Sequence, residues 1–182
     1  MKRPKPLLTL AAVLMAASLV ACSHSVTKSP DVTGNVRKSL SQAGFKNVST
    51  SEDRDKGVVT LSGNVATDAE KAQAQSVAEA QAGGLAVANQ IAVIPPNDAH
   101  NAKAMNSDLD KGIEHNLDAA LIYDNLHNGV KYSVKNHVVT LTGNVASQDT
   151  RQQVQNVAAS VPNVQQVVNE LQVKNQKATA SN

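Results

Sequence analysis

Tryptophan is absent from this sequence, and Phe45, Tyr123 and Tyr132 are its only aromatic residues. Holding single-stranded nucleic acid by base stacking needs aromatic platforms, and stacking on carbohydrate meets the same shortage. Cysteine is nearly absent too. Cys22 stands alone, so no intramolecular disulfide can form, even in an oxidising compartment. Strong net charge is missing as well. The formal charge is +2, but Lys2, Arg3 and Lys5 contribute three of the 17 basic residues, and the remaining 14 face 15 acidic ones. Bulk electrostatic attraction to nucleic acid or anionic lipid is therefore not built in.

Chemistry-bearing constellations are equally scarce. His24, His100, His115, His127 and His137 are scattered, with no pair at the short spacing of zinc ligands, so no metal site is expected. Asp108, Asp110, Glu114 and Asp118 read as the solvated face of one helix rather than as an acid–base pair in a pocket. No phosphate loop, nucleophile elbow or Gly-x-x-Gly clamp occurs. The expectation is a protein that is not an enzyme and has no cofactor.

One long apolar run is present, from Leu7 to Val20, after the basic residues Lys2, Arg3 and Lys5. It falls short of the roughly 20 apolar residues a spanning helix needs and has the form of a secretory signal peptide. Leu19-Val20-Ala21-Cys22 resembles the bacterial lipobox. That resemblance implies a signal peptide over 1–21 and lipidation of Cys22; an ordinary signal peptide with an incidental cysteine is the alternative. Residues 22–28 then form a short lipidated tether.

The body of the chain is organised by a repeated phrase. Val58-Val59-Thr60-Leu61-Ser62-Gly63-Asn64-Val65-Ala66 returns 80 residues later as Val138-Val139-Thr140-Leu141-Thr142-Gly143-Asn144-Val145-Ala146. An internal repeat of this kind reports duplicated structural units. Alternation of Val59 and Leu61 with Thr60 and Ser62 predicts a half-buried strand. Gly63 and Gly143 mark a bulge or close backbone approach. Thr67 and Glu70 predict a capping box opening a helix, and Ser147 with Thr150 half of one.

In chain order, Ser29-Pro30-Asp31 reads as an N-cap, N1 proline and first-turn acid. Val32, Val36, Leu40 and Ala43 follow on a helical stripe that stops at Gly44. Glu52 to Gly57 reads as a solvated hairpin connection. A helix runs from about Thr67 to Ala80, and Val87, Ile91 and Val93 supply a closing strand, its buried part beginning after Asn89. Pro95-Pro96 and the polar run behind them read as a linker over 95–105. The second unit replays this order. Ser107 reads as an N-cap, Leu109, Ile113, Leu117 and Leu121 as a helix stripe, and Val130, Tyr132 and Val134 as a strand. Val154, Val157, Ala158 and Val161 read as a second helix face, and Val164 to Val173 as the closing strand. The expected fold is α+β, two tandem αββαβ units over 29–94 and 106–174, with a disordered tail over 175–182.

These two units, each with Gly-Asn after its strand and a closing segment like Val87-Ala88-Asn89-Gln90-Ile91-Ala92-Val93, resemble the BON domain. The resemblance implies a dual-BON lipoprotein of the Gram-negative envelope. It further implies location at the periplasmic face of the outer membrane, no catalysis, phospholipid binding, and a role in envelope integrity and osmotic-stress tolerance. Gly63, Asn64, Gly143 and Asn144 are expected to be structural, which leaves function to the places where the copies differ. The sharpest of these is Leu121-Ile122-Tyr123, where Ile122 is expected to take the place of Phe45 and Tyr123 to be surplus. With Lys111, these residues are the candidate lipid contacts, since a tyrosine beside aliphatic side chains suits a membrane interface. Two partner classes follow: phospholipid, through the acyl anchor and directly, or an envelope protein docked on the units with the lipid only as an address. Nucleic acid is not expected.

Overall fold

The structure is a computed structural model that describes residues 28–174; the expected signal peptide over 1–21, the expected lipidation site Cys22 and the expected tail over 175–182 lie outside the described residues. The first unit runs α1 (Thr33–Gln42), β1 (Val48–Asp53), β2 (Val58–Val65), α2 (Asp68–Glu79) and β3 (Ala86–Val93). The second runs α3 (Ala99–Tyr123), β4 (Val130–Lys135), β5 (Val138–Val145), α4 (Gln148–Ser160), β6 (Gln166–Asn169) and β7 (Gln172–Val173). β6 and β7 are one interrupted strand. Both run parallel to β5, with Leu141 opposite Asn169 and Asn144 opposite Gln172, so the register carries through. Each unit is therefore αββαβ, with a sheet in the order β1-β2-β3 or β4-β5-β6.

The repeated phrase supplies the central strand of each sheet. Val59 and Leu61 turn into the core of unit one, with Val36, Leu40, Ala74, Ala78 and Ile91; Val139 and Leu141 do the same in unit two, with Ile113, Leu117, Leu121, Val154 and Ala158. The alternate face carries Val58 and Val138, which the strand period aims away from the helices.

The two glycines answer to a close approach. At Gly63 (φ +118°) a Cβ would stand 2.1 Å from the Asn47 carbonyl oxygen, and at Gly143 (φ +116°) 2.1 Å from that of Gly129. The neighbouring Asn64 and Asn144 are exposed, the second donating its backbone N–H to Gly129 O at 2.9 Å.

The helix starts divide. Thr67 and Glu70 form the expected capping box, and Ser147 Oγ accepts from Thr150 N at 3.0 Å. α1, however, begins three residues later than its apparent N-cap. Ser29 lies in irregular chain, its N–H held by Arg54 O at 2.9 Å, and the Asp31 carboxylate accepts from Thr33 N instead. Two further expectations are corrected. The segment read as linker is helical from Ala99, so Ser107 is interior to α3 and only Ile94 to Asp98 is irregular. Asn89 is not at the wet end of its strand: it is 2% exposed. Its amide donates to Lys71 O (3.0 Å) and Gln75 Oε1 (3.2 Å), and its Oδ1 accepts from Ile91 N. Asn169 repeats this pattern with Arg151 O, Gln155 Oε1 and Leu171 N. An asparagine thus cross-links the closing strand to the preceding helix in both units, satisfying backbone groups that a leucine would leave unpaired.

The units meet through an approximate two-fold relation. Val58, Ala88, Val138 and Val168 form a buried cluster of their own, and they are two pairs of positions 80 residues apart. Lys56 binds Glu170, while the corresponding Asn136 donates to Gln90 O at 2.8 Å. Gln166 breaks the symmetry. Its amide accepts from Asn89 N (2.9 Å) and donates to Val87 O (2.7 Å), filling in for the strand that β3 lacks on its outer side. Lys71, buried, reaches across to Asn136 O (3.3 Å) and Gln165 Oε1 (2.9 Å), and burial pushes its pKa down.

Candidate functional site

The last turn of α3 is where the two copies diverge most. α1 and α3 end in the same way: a left-handed residue, Gly44 (φ +94°) or Asn125 (φ +56°), lets the next N–H reach back into the last turn. Phe45 N donates to Leu40 O at 2.9 Å, and Leu126 N to Leu121 O at 2.8 Å. This pairs Leu121 with Leu40 and Leu126 with Phe45, and it leaves Ile122 and Tyr123 opposite Ser41 and Gln42. Ile122 does not take the place of Phe45; Leu126 does, packing against the second core.

The four residues expected to meet lipid are thereby separated. Leu121 is 1% exposed and belongs to the core, so it cannot contact a surface while the domain is folded. Lys111 lies 12 residues before Tyr123, about 18 Å along the helix, and pairs with Asp108 at 3.2 Å. Ile122 and Tyr123 remain, 53% and 86% exposed. Among the described residues the other large exposed hydrophobic side chain is Met105, which lines a groove between the units with Ile91 and Leu109. An apolar pair on a helix end, where the sister domain has serine and glutamine, gives this molecule a small wettable-to-apolar step in its surface.

Tyr132, the remaining tyrosine, serves the fold. Its hydroxyl donates to Asp118 at 2.9 Å, tying β4 to α3; burial first, then that carboxylate, pushes its pKa up to about 12. His137 sits in the two-residue turn between β4 and β5, with both Asn136 (φ +49°) and His137 (φ +67°) left-handed, a type I′ hairpin. Asp110 reaches up from α3 and accepts from both turn N–H groups at 2.8 Å. Burial pushes the imidazole pKa down against the pull of Asp110. Sequence reasoning missed this clamp, although Asp110 follows Asp108 on a face read as purely solvated.

Among the described residues no cluster of three metal-ligating side chains occurs, and no helix is long and apolar enough to cross a membrane.

The BON domain family model matches twice, over residues 29–95 and 109–175. No curated protein matches the sequence. Solved structures similar to it include two of CdsD, a structural protein of the type III secretion system of Chlamydia trachomatis. Its C-terminal domain is 13% identical with a TM-score of 0.34, covering 82% of this chain and 100% of that one. The second is 13% identical with a TM-score of 0.34, covering 79% and 92%. A TM-score of 0.34 carries no inference to this chain.

Proposed function

Because this chain belongs to the BON-domain family, a family of non-catalytic binding modules known to bind phospholipids, we propose that it is a lipid-anchored envelope protein. It rests on the periplasmic leaflet of the outer membrane, held by diacylglycerol on Cys22 and by a direct contact of its second domain with phospholipid, and it supports envelope integrity under osmotic stress. One observation carries the direct contact: the exposed Ile122–Tyr123 pair at the end of α3, in place of Ser41 and Gln42. Tyrosine places an apolar ring in the acyl boundary and a hydroxyl among headgroups. The address rests on the lipobox-like Leu19-Val20-Ala21-Cys22 and on Ser23, which is not the aspartate associated with inner-membrane retention.

The test is co-sedimentation of a soluble, non-acylated Cys22→Ala protein with vesicles of phosphatidylethanolamine, alone and with phosphatidylglycerol or cardiolipin. Binding is expected, and restoring the first domain's residues with Ile122→Ser and Tyr123→Gln is expected to weaken it at least fivefold, while Lys111→Ala changes it less than twofold. Failure of the soluble protein to bind any of these vesicles defeats the direct contact and leaves protein docking, with the lipid as address only, as the surviving reading.

A further inference from the structure

The two sheets join through β3 and β6, which leaves β1 and β4 as the outer edges of the molecule. The edges are not alike. Lys28 and Ser29 lie across the hairpin end of β1: Ser29 exchanges hydrogen bonds with Arg54, N–H to carbonyl at 2.9 Å and Nε to Ser29 O at 2.7 Å, and Lys28 pairs with Asp55. Among the described residues β4 has no such cover. Its type I′ turn makes Lys135 and Val138 the closing hydrogen-bonded pair of the hairpin. Alternation along the antiparallel ladder then turns Lys131, Ser133 and Lys135 toward β5 with their backbone groups, and Tyr132 and Val134 outward with theirs. Outward N–H and C=O groups in a row are a template for another strand.

The side chains beside that row define what would pair with it. Lys131, Ser133 and Lys135 are all exposed on the open face of β4, and neither lysine makes a salt bridge among the described residues. The equivalent positions on β1, by register against the central strand, are Ser49, Ser51 and Asp53. Two unpaired lysines on an edge repel an apolar or basic strand and reward one carrying carboxylates at alternate residues, since same-face neighbours on adjacent strands stand within ion-pairing reach. We propose that the β4 edge is a docking site for an extended acidic peptide segment of a partner protein, added as an outer strand on the second sheet. Its main chain pairs with Tyr132 and Val134 and its alternate acidic side chains with Lys131 and Lys135.

The probe is a labelled, capped five-residue peptide of alternating glutamate and valine, titrated onto the soluble Cys22→Ala chain at low salt. Saturable binding is expected. It should fall at least tenfold in Lys131→Glu with Lys135→Glu, and at least tenfold for the same peptide N-methylated on alternate residues, which loses strand donors without any change in the protein. Val134→Pro, which removes one outward N–H at an edge position that tolerates proline, should act likewise. Tyr123→Ala should leave peptide binding unchanged, because the edge is separate from the proposed lipid contact. No binding by the parent chain, or equal binding of the N-methylated peptide or of an alternating lysine–valine peptide, overturns the proposal.

Discussion

At the scale of single residues, the two glycines of the repeated phrase separate a steric requirement from mere conformational convenience. Gly143 has both a positive φ and a carbonyl oxygen 2.1 Å from where a Cβ would be, whereas Gly83 (φ +62°) has open space around it. Gly143→Ala is therefore expected to cost about 3 kcal/mol or more, by strain plus displacement of the β4 start, and Gly83→Ala only about 1 kcal/mol; urea unfolding of the two variants checks the contrast. The histidine in the β4–β5 turn makes a second residue-level prediction. Its folded pKa lies below the ordinary value of 6.5 because the ring is partly buried and loses solvation, so the unfolded chain binds the proton first as pH falls. Stability from this site is intact above about pH 6.5 and declines as the pH drops through the folded value. His137→Gln should lessen the loss of urea midpoint between pH 7.5 and 5. An unchanged difference between those midpoints would mean that carboxylates alone set the acid limb.

At the scale of elements, what could be read from the chain was what repeats at short range. Strand alternation, the glycine after it and the Thr67–Glu70 cap are all local signals, and they located β2, β5 and α2. Asn89 was misplaced because its partners lie on α2, 14 and 18 residues away, beyond what strand period can report. The beginning of α3 was misread because Asn, Ala, Lys and Met behind two prolines have linker-like polarity but are adequate helix formers, and packing on the first unit decides between them. The end of α3 is misassigned because Asn125, rather than a glycine, takes the left-handed position, which shifts the correspondence by four residues and puts Ile122 in the role that belongs to Leu126. The candidate contact survived that shift only in part: Ile122 and Tyr123 are at the surface, Leu121 is core, and Lys111 is remote. The Asp110 clamp had no local signature at all, since a carboxylate that caps a distant turn looks like any other solvent-facing acid.

At the scale of the whole molecule, the two domains are fastened by a small apolar cluster, the Lys56–Glu170 pair and the bonds of Lys71, Asn136 and Gln166. Each domain by itself is small enough to be marginal, so the fastening should show in cooperativity. Residues 28–174 are expected to melt in one transition with equal calorimetric and van't Hoff enthalpies. Lys56→Ala with Gln166→Ala, which leaves both cores intact, should remove about 2–4 kcal/mol of coupling and split the melt in two, the second domain unfolding later because its aliphatic core is larger. Two transitions in the parent chain would show that the seam contributes nothing.

The bonds between Ser29 and Arg54 have a consequence for how strong the proposed membrane contact must be. They fix the start of the folded body at one hairpin, so a lipid on Cys22 would be joined to it by six residues, a reach of about 20 Å. A body leashed that tightly explores a volume in which its own membrane-facing patch sits at roughly millimolar concentration relative to the bilayer. Two side chains are then enough. An affinity that fills the free protein only at high lipid concentration would still keep the leashed one lying on the leaflet for much of the time.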